Sequence, residues 1–176
     1  HARLPDQVHH ARFAASAATI LTLPAGTYEF LPSHAPYITL RELRTARIVV
    51  VEPQNQNPVR LAIASDRGAW QSDGTLLSSN DFEIWLSNPA DGSSRLLARY
   101  SEEVRDARIN KEWPYIFGSW AGVIRALDLD TREPRSIYEL VKATEVSGFE
   151  FSPDGKMLYF AGVIGNAKGI FSLTLR

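Results

Sequence analysis

The 176-residue chain contains no cysteine, and this absence excludes disulfide bonds, thiolate metal sites and cysteine nucleophiles. No apolar run approaches the roughly 20 residues that a membrane-spanning helix needs, so we predict no membrane span. The formal net charge is only −1, which gives no support to a nucleic-acid partner. Otherwise the composition, with 44% hydrophobic and 22% charged residues, is typical of a globular protein.

Catalytic signatures are also scarce. The segment 118–122 is not a nucleophile elbow, because Ser119 stands one place too early. Phosphate-binding loops, dinucleotide fingerprints and metalloprotease helices are absent from the sequence. Only His34 of the four histidines lies beyond the first ten residues, so a Ser-His-Asp triad has one candidate base. We therefore predict no catalytic residue, no cofactor and no metal site.

The clearest local pattern is in residues 148–160. Phe149 and Phe151 alternate with a glutamate, which is typical of a strand with one buried face. The sequence Ser-Pro-Asp-Gly at 152–155 then predicts a tight turn, because proline fixes φ, aspartate bonds to the nearby backbone and glycine accepts a positive φ. A second strand follows at 157–160.

This unit is repeated about every 40 residues. The first marker is an apolar residue at the end of the first strand, and it falls at Phe30, Trp70, Ile109 and Phe151. The second marker is an apolar residue that opens the third strand, and it falls at Ile48, Ile84, Ile124 and Ile170. A sheet of four short strands with tight turns occupies about this length, and propeller blades repeat at it.

Residues 151–160 and 169–173 resemble the TolB-like β-propeller repeat, a relative of the WD repeats, and residues 70–86 match it moderately. The resemblance implies antiparallel blades with the first strand at a central channel and the fourth outside. We predict an all-β propeller in which an N-terminal arm at 1–15 precedes a domain at 16–176, with about four four-stranded blades at 26–63, 64–100, 101–144 and 145–176. For residues 136–140 a strand is favoured over a short helix.

The last unit ends one strand short, and the predicted strand 17–23 is available to complete it. Such closure would give a compact ring of four blades. Alternatively, the chain is an arc of a larger propeller that a second copy or another protein chain completes.

In propellers of the resembling family, the loops between second and third strands share one face with the loops between blades. We predict that residues on this face bind a partner. Two of them are tryptophans expected in or beside loops, with burial between blades as the alternative. The candidate residues are Arg67, Asn80, Asp81, Arg105, Trp113, Trp120, Asn166 and Lys168.

The function predicted from these features is a non-catalytic scaffold that presents loops to a protein or a surface ligand. The alternative is the propeller portion of a hydrolase, such as a serine peptidase or a polysaccharide-cleaving enzyme, where blades gate or hold the substrate. An extracytoplasmic location follows from the family resemblance alone.

Overall fold

The computed structural model describes residues 22–65, 67–129 and 136–176, and every regular element within these ranges is a β-strand. The first sheet contains β1 (Tyr28–Leu31), β2 (Ile38–Glu42), β3 (Arg47–Val51) and β4 (Val59–Ile63). The second contains β5 (Arg67–Trp70), β6 (Leu76–Asn80), β7 (Glu83–Asn88) and β8 (Ser93–Arg99). The third contains β9 (Val104–Ile109), β10 (Tyr115–Trp120), β11 (Val123–Asp128) and β12 (Ile137–Lys142). The fourth contains β13 (Glu145–Phe151), β14 (Met157–Ile164) and β15 (Ala167–Thr174).

Each sheet is an antiparallel meander in which strands follow one another in chain order. The period-2 pattern of the sequence sets which side chains share a face. In the fourth sheet, Phe149, Phe160 and Phe171 lie directly opposite one another and face the third sheet. The strand predicted at 136–140 is confirmed, because β12 pairs with β11.

Three apolar clusters hold consecutive sheets together. Ile48, Val50 and Leu61 of the first sheet pack with Leu76 of the second. The second cluster joins the second and third sheets and contains Leu77, Ile84, Leu97, Val104, Ala107, Ile116, Trp120 and Leu127. The third joins the third and fourth sheets and contains Phe117, Ile124, Ala126, Val146, Phe149, Leu158 and Phe160. Burying each large side chain contributes about 1.5–3 kcal/mol, so these clusters fix the order of the sheets.

The described residues form an open arc and not a closed ring. Within them, no apolar cluster joins the fourth sheet to the first, and the fourth sheet has three strands. The arm at 1–15 and most of the predicted strand 17–23 lie outside the described residues. Thr22 and Leu23 are described, and neither belongs to a strand. Of the two alternatives that the sequence left open, the structure agrees with the arc.

The repeat markers distinguish the middle of the arc from its ends. Trp70, Ile109 and Phe151 each join the cluster shared with the preceding sheet, whereas Phe30 has no preceding sheet and is 80% exposed. The second marker behaves in the same way at the other end. Ile48, Ile84 and Ile124 are completely buried toward the following sheet, while Ile170 in the last sheet is 80% exposed.

Candidate functional site

The turns between second and third strands lie on the same face as the connections between sheets, as predicted. We call this the loop face. The Val104 amide donates to the Asp81 carbonyl at 2.5 Å, and the Ala143 amide donates to the Gly122 carbonyl at 2.8 Å. Gly122 has a φ of +90°, and a Cβ there would lie 2.5 Å from the Ala143 carbonyl oxygen. Only glycine therefore allows this close approach of turn and connection.

Six of the predicted site residues lie on the loop face. Arg67 lies on β5, the innermost strand of the second sheet. Its Nη1 donates to the carbonyls of Val104 and Arg105 on β9, the innermost strand of the third sheet. Asn80 lines a cleft of about 260 Å³ between the first and second sheets. The other four have exposed side chains on the second, third and fourth sheets, namely Asp81, Arg105, Asn166 and Lys168. These residues share a face without converging on a single groove.

Trp120 lies beside a turn, as expected, but its side chain is buried between blades, which is the alternative that the sequence left open. It is the last residue of β10 and is completely buried. Its indole lies across Gly118, two residues earlier on the same strand face, where a Cβ would collide with the ring. Tyr100 packs edge-on against it at 4.9 Å between ring centroids. In this arrangement the ring belongs to the core between the second and third sheets and presents no surface to a partner.

Trp113 lies on the opposite face, so its expected place on the loop face is wrong. It sits in the turn between β9 and β10, and its side chain is half-buried. Together with Pro114 it borders two concavities, one on each side. Its Nε1 atom is buried without a hydrogen-bond acceptor within the described part of the chain.

The larger of these concavities is a groove of about 820 Å³ on the face opposite the loop face. This turn face carries the turns that follow the first strand of each sheet. The turns of the second, third and fourth sheets form the walls of the groove. We call it the turn-face groove. The charged and aromatic side chains that line it are Trp70, Asp73, Arg95, Lys111, Glu112, Trp113, Glu150 and Phe151.

The walls of this groove are fixed by internal hydrogen bonds. In the fourth sheet, the Gly155 amide donates to the Ser152 carbonyl at 2.8 Å, and the Met157 amide donates to Ser152 Oγ at 2.9 Å. The Ser152 hydroxyl donates to Asp154 and, with the Lys156 amide, holds the pKa of Asp154 below its ordinary value. These bonds satisfy the polar groups of the turn, so the turn keeps one shape.

The equivalent turn of the second sheet has the same chemistry. The Gly74 amide donates to the Gln71 carbonyl at 3.1 Å. Thr75 donates to Asp73 from its hydroxyl at 2.7 Å and from its amide at 3.0 Å, and these bonds lower the pKa of Asp73. Asp73 therefore presents a stable negative charge to the groove.

A buried asparagine joins the turns of the third and fourth sheets. Asn110 is 2% exposed, and its Nδ2 donates to the Gly155 carbonyl at 2.9 Å. Its Oδ1 accepts from the Glu112 amide at 2.8 Å. One side chain thus links two walls of the groove.

Charged side chains lie on the innermost strands of the third and fourth sheets. Burial raises the pKa of Asp106 on β9, and Arg108, whose Nη2 lies 3.5 Å from Asp106 Oδ2, acts in the opposite direction. Glu150 on β13 raises the pKa further through its like charge. The opposite charge of Arg108 therefore only partly offsets the effect of burial and of Glu150 on Asp106.

The turn-face groove was not predicted, although the sequence contained a signal for it. The turns at 71–74, 110–113 and 152–155 occupy equivalent positions in successive repeats, so they must lie at the same end of neighbouring sheets. Of these, the turn at 152–155 was predicted only as a reversal between two strands. The groove exists because rigid turns from three sheets stand side by side.

Comparison with known proteins supports the architecture. No protein-family model and no curated protein sequence matches the chain. Among solved structures, Hsv2 of Kluyveromyces lactis is similar with a TM-score of 0.59 and 16% identity, covering 81% of this chain and 47% of that one. Because Hsv2 is a β-propeller, the likeness decides the fold.

The fold is that of a β-propeller, seen as an arc of four blades. A putative 6-phosphogluconolactonase from Bacteroides uniformis gives a TM-score of 0.55 at 11% identity, covering 82% of this chain and 52% of that chain. Dihydro-heme d1 dehydrogenase NirN gives 0.58 at 16% identity, covering 79% and 32%. The chain thus spans about half or less of these propellers, and at such identities the likeness concerns the fold alone.

Proposed function

We propose that this propeller arc is a non-catalytic binding scaffold whose turn-face groove holds an extended segment of a partner protein. The observation that carries the proposal is the groove itself. Three successive blades contribute one rigid turn each to its walls, and Trp113 stands at its border. Because the turns are internally hydrogen-bonded, little ordering entropy is lost when a segment binds.

The size and chemistry of the groove favour a polypeptide segment. Sheets pack about 10 Å apart, so turns from three blades extend over roughly 20 Å, the length of about six residues in an extended chain. Trp113 and Phe151 offer apolar rings, while Asp73, Lys111 and Glu112 offer charges of both signs. Aromatic and charged groups in one concavity are typical of sites that bind protein side chains.

Two finer assignments belong to the same proposal. The Ser-Pro-Asp-Gly turn at 152–155 supports a relationship to the TolB-like repeats, and that relationship favours a location outside the cytoplasm. Within the described residues, no helix is long and apolar enough to span a bilayer.

The hydrolase alternative has no specific support in the described residues. The His34 ring stacks on Trp70 at 5.5 Å, and its Nδ1 lies 3.1 Å from the Ala35 carbonyl oxygen. In the described part of the chain, no serine hydroxyl hydrogen-bonds to this ring. His34 therefore contributes to packing between the first two blades.

Panning a phage-displayed library of random dodecapeptides on the immobilised chain would test the groove. We expect selected peptides to lose at least about tenfold in affinity when Trp113 is replaced by alanine, since losing an aromatic contact of this size costs about 1.4 kcal/mol or more. Lys111→Glu should change which peptide charges are selected. The matched control is Arg105→Glu, an exposed charge reversal on the loop face. Peptides that respond to Arg105→Glu and ignore Trp113→Ala would contradict the proposal.

A further inference from the structure

The two ends of the arc each leave one repeat marker without a neighbouring blade. Phe30 occupies the position at which Trp70, Ile109 and Phe151 pack against a preceding blade, yet it is 80% exposed. Ile170 occupies the position at which three isoleucines are buried toward a following blade, and it is also 80% exposed. No other large apolar side chain in the described ranges is exposed to this degree.

The apolar surroundings of these two residues are extensive. On the first sheet, Phe30 lies in register with Val49 and Ala62, and Val59 nearby is 46% exposed. On the fourth sheet, Ile170 lies opposite Ala161, and neighbouring Tyr159 is 43% exposed on the same face. We call these the first-blade face and the last-blade face. Each has the pattern of a surface that packs against another sheet.

We propose that a second copy of this chain covers both faces at once, with the last-blade face of each copy packed on the first-blade face of the other. This inference is independent of the turn-face groove. The contact is head-to-tail, and it repeats the way in which each blade inside the chain packs on the next. Two copies related by a two-fold axis would close a ring of eight blades.

Two observations favour a second copy as the occupant. The chain spans 47% of Hsv2 and 52% of the phosphogluconolactonase-like propeller, so two copies supply about the number of blades that such rings contain. The two faces also belong to one repeating surface, because Phe30 and Ile170 are equivalent to residues that meet at the internal junctions. Each end face therefore has the residues that pack against the opposite end face at an internal junction.

The open edge of the fourth sheet leads to the same arrangement. A groove of about 710 Å³ beside β15 is lined by Tyr115, Tyr138, Leu140 and Leu173, where a fourth strand would cover the third sheet. Residues 22–25 border the first-blade face. In the two-copy ring, residues 22–25 of one copy lie next to the open edge of β15 in the other copy.

The test is the mass in solution, measured by light scattering on a sizing column for the wild-type chain and for Phe30→Glu and Ile170→Glu. We expect the wild type at twice 19.6 kDa and each variant at the single mass. An equimolar mixture of the two variants should recover a dimer, because the pair retains one intact head-to-tail contact. Hydrogen exchange at β15 should be slowed in the wild-type dimer and fast in Ile170→Glu.

Phe82→Glu is the control, since Phe82 is 49% exposed on the loop face, away from both end faces, and should remain dimeric. Circular dichroism of Phe30→Glu and Ile170→Glu verifies that a changed mass does not reflect unfolding. A monomeric wild type would overturn the proposal. So would a dimer that only one of the two end variants disrupts, because that result indicates a contact between two identical faces. A mass that grows with concentration beyond two copies would contradict ring closure.

Discussion

The junctions inside the arc and its two ends place equivalent residues in different surroundings. Ile48, Ile84 and Ile124 are completely buried because a following blade covers each of them, whereas Ile170 is 80% exposed. The difference lies in the neighbour and not in the residue. Each blade in this repeat is built to be covered on both faces, and two faces remain available to a partner.

The largest effect should come from a residue inside a junction. Trp120→Ala removes a completely buried indole from the contact between the second and third blades. We expect the free energy of unfolding to fall by about 3–5 kcal/mol, as for other large-to-small substitutions of buried aromatics. Urea denaturation followed by far-ultraviolet circular dichroism would measure it. A loss below about 1 kcal/mol would show that this junction is not a packed core.

Equivalent markers should respond differently to the same substitution. Phe151→Ala removes a half-buried ring that packs edge-on against Phe117 at 4.9 Å, and we expect a loss of about 2 kcal/mol. Phe30→Ala should change unfolding by less than about 0.5 kcal/mol, because the ring is exposed in the single chain. The two variants should be compared at concentrations where the chain is monomeric. Equal losses would contradict the contrast between junction and end.

A substitution in the wall of the turn-face groove should have a smaller effect on the free energy of unfolding. Asn110→Asp keeps an acceptor for the Glu112 amide but removes the donor to the Gly155 carbonyl. An unsatisfied buried carbonyl costs about 1–3 kcal/mol, and a charged aspartate here adds to that loss. Thermal unfolding should show the decrease, and peptide affinity should fall because two walls of the groove lose the link between them. Unchanged stability would mean that water replaces the amide.

The smallest effect concerns pH. The pKa of Asp73 is lowered by Thr75, so its contribution to stability is present above the ordinary carboxyl pKa and is lost as pH falls through the lowered value. Asp73→Asn should therefore reduce the melting temperature at neutral pH and have less effect in acid. Burial raises the pKa of Asp106, so its charged form is disfavoured in the folded protein. Asp106→Asn should therefore raise the melting temperature at neutral pH and have less effect in acid. A parallel pH dependence for both variants would contradict these assignments.

Much of the fold could be predicted because each strand and turn of the repeat has a recognisable pattern over a few neighbouring residues. Alternating residues such as Phe149 and Phe151 indicated a strand, and the turn at 152–155 indicated its reversal. The arc could not be distinguished from a ring in this way. Whether Phe30 or Ile170 has a neighbour depends on contacts between distant parts of the sequence, which local periodicity does not contain.

The candidate site was harder to predict, because whether a side chain is buried can depend on the size of the residue two positions earlier on the same strand face. Trp120 was expected in or beside a loop, yet Gly118 provides the space in which its ring is buried. Trp113 was predicted to be a contact residue on the loop face, whereas it lies on the opposite face. Its position depends on which turns the propeller brings together, and that follows from the order of strands within each blade.

Two distances within one chain distinguish the open arc from a closed ring most directly. Because the chain has no cysteine, spin labels can be placed at Arg44→Cys, Ala121→Cys and Asn166→Cys, which are equivalent turns of the first, third and fourth blades. Doubly labelled chains would be diluted with unlabelled chains, so that only distances within a chain are recorded. An open arc predicts that the 44–166 distance is roughly two to three times the 121–166 distance, since three sheet spacings of about 10 Å separate the first and fourth blades. Two similar distances would show a closed four-bladed ring and contradict the arc.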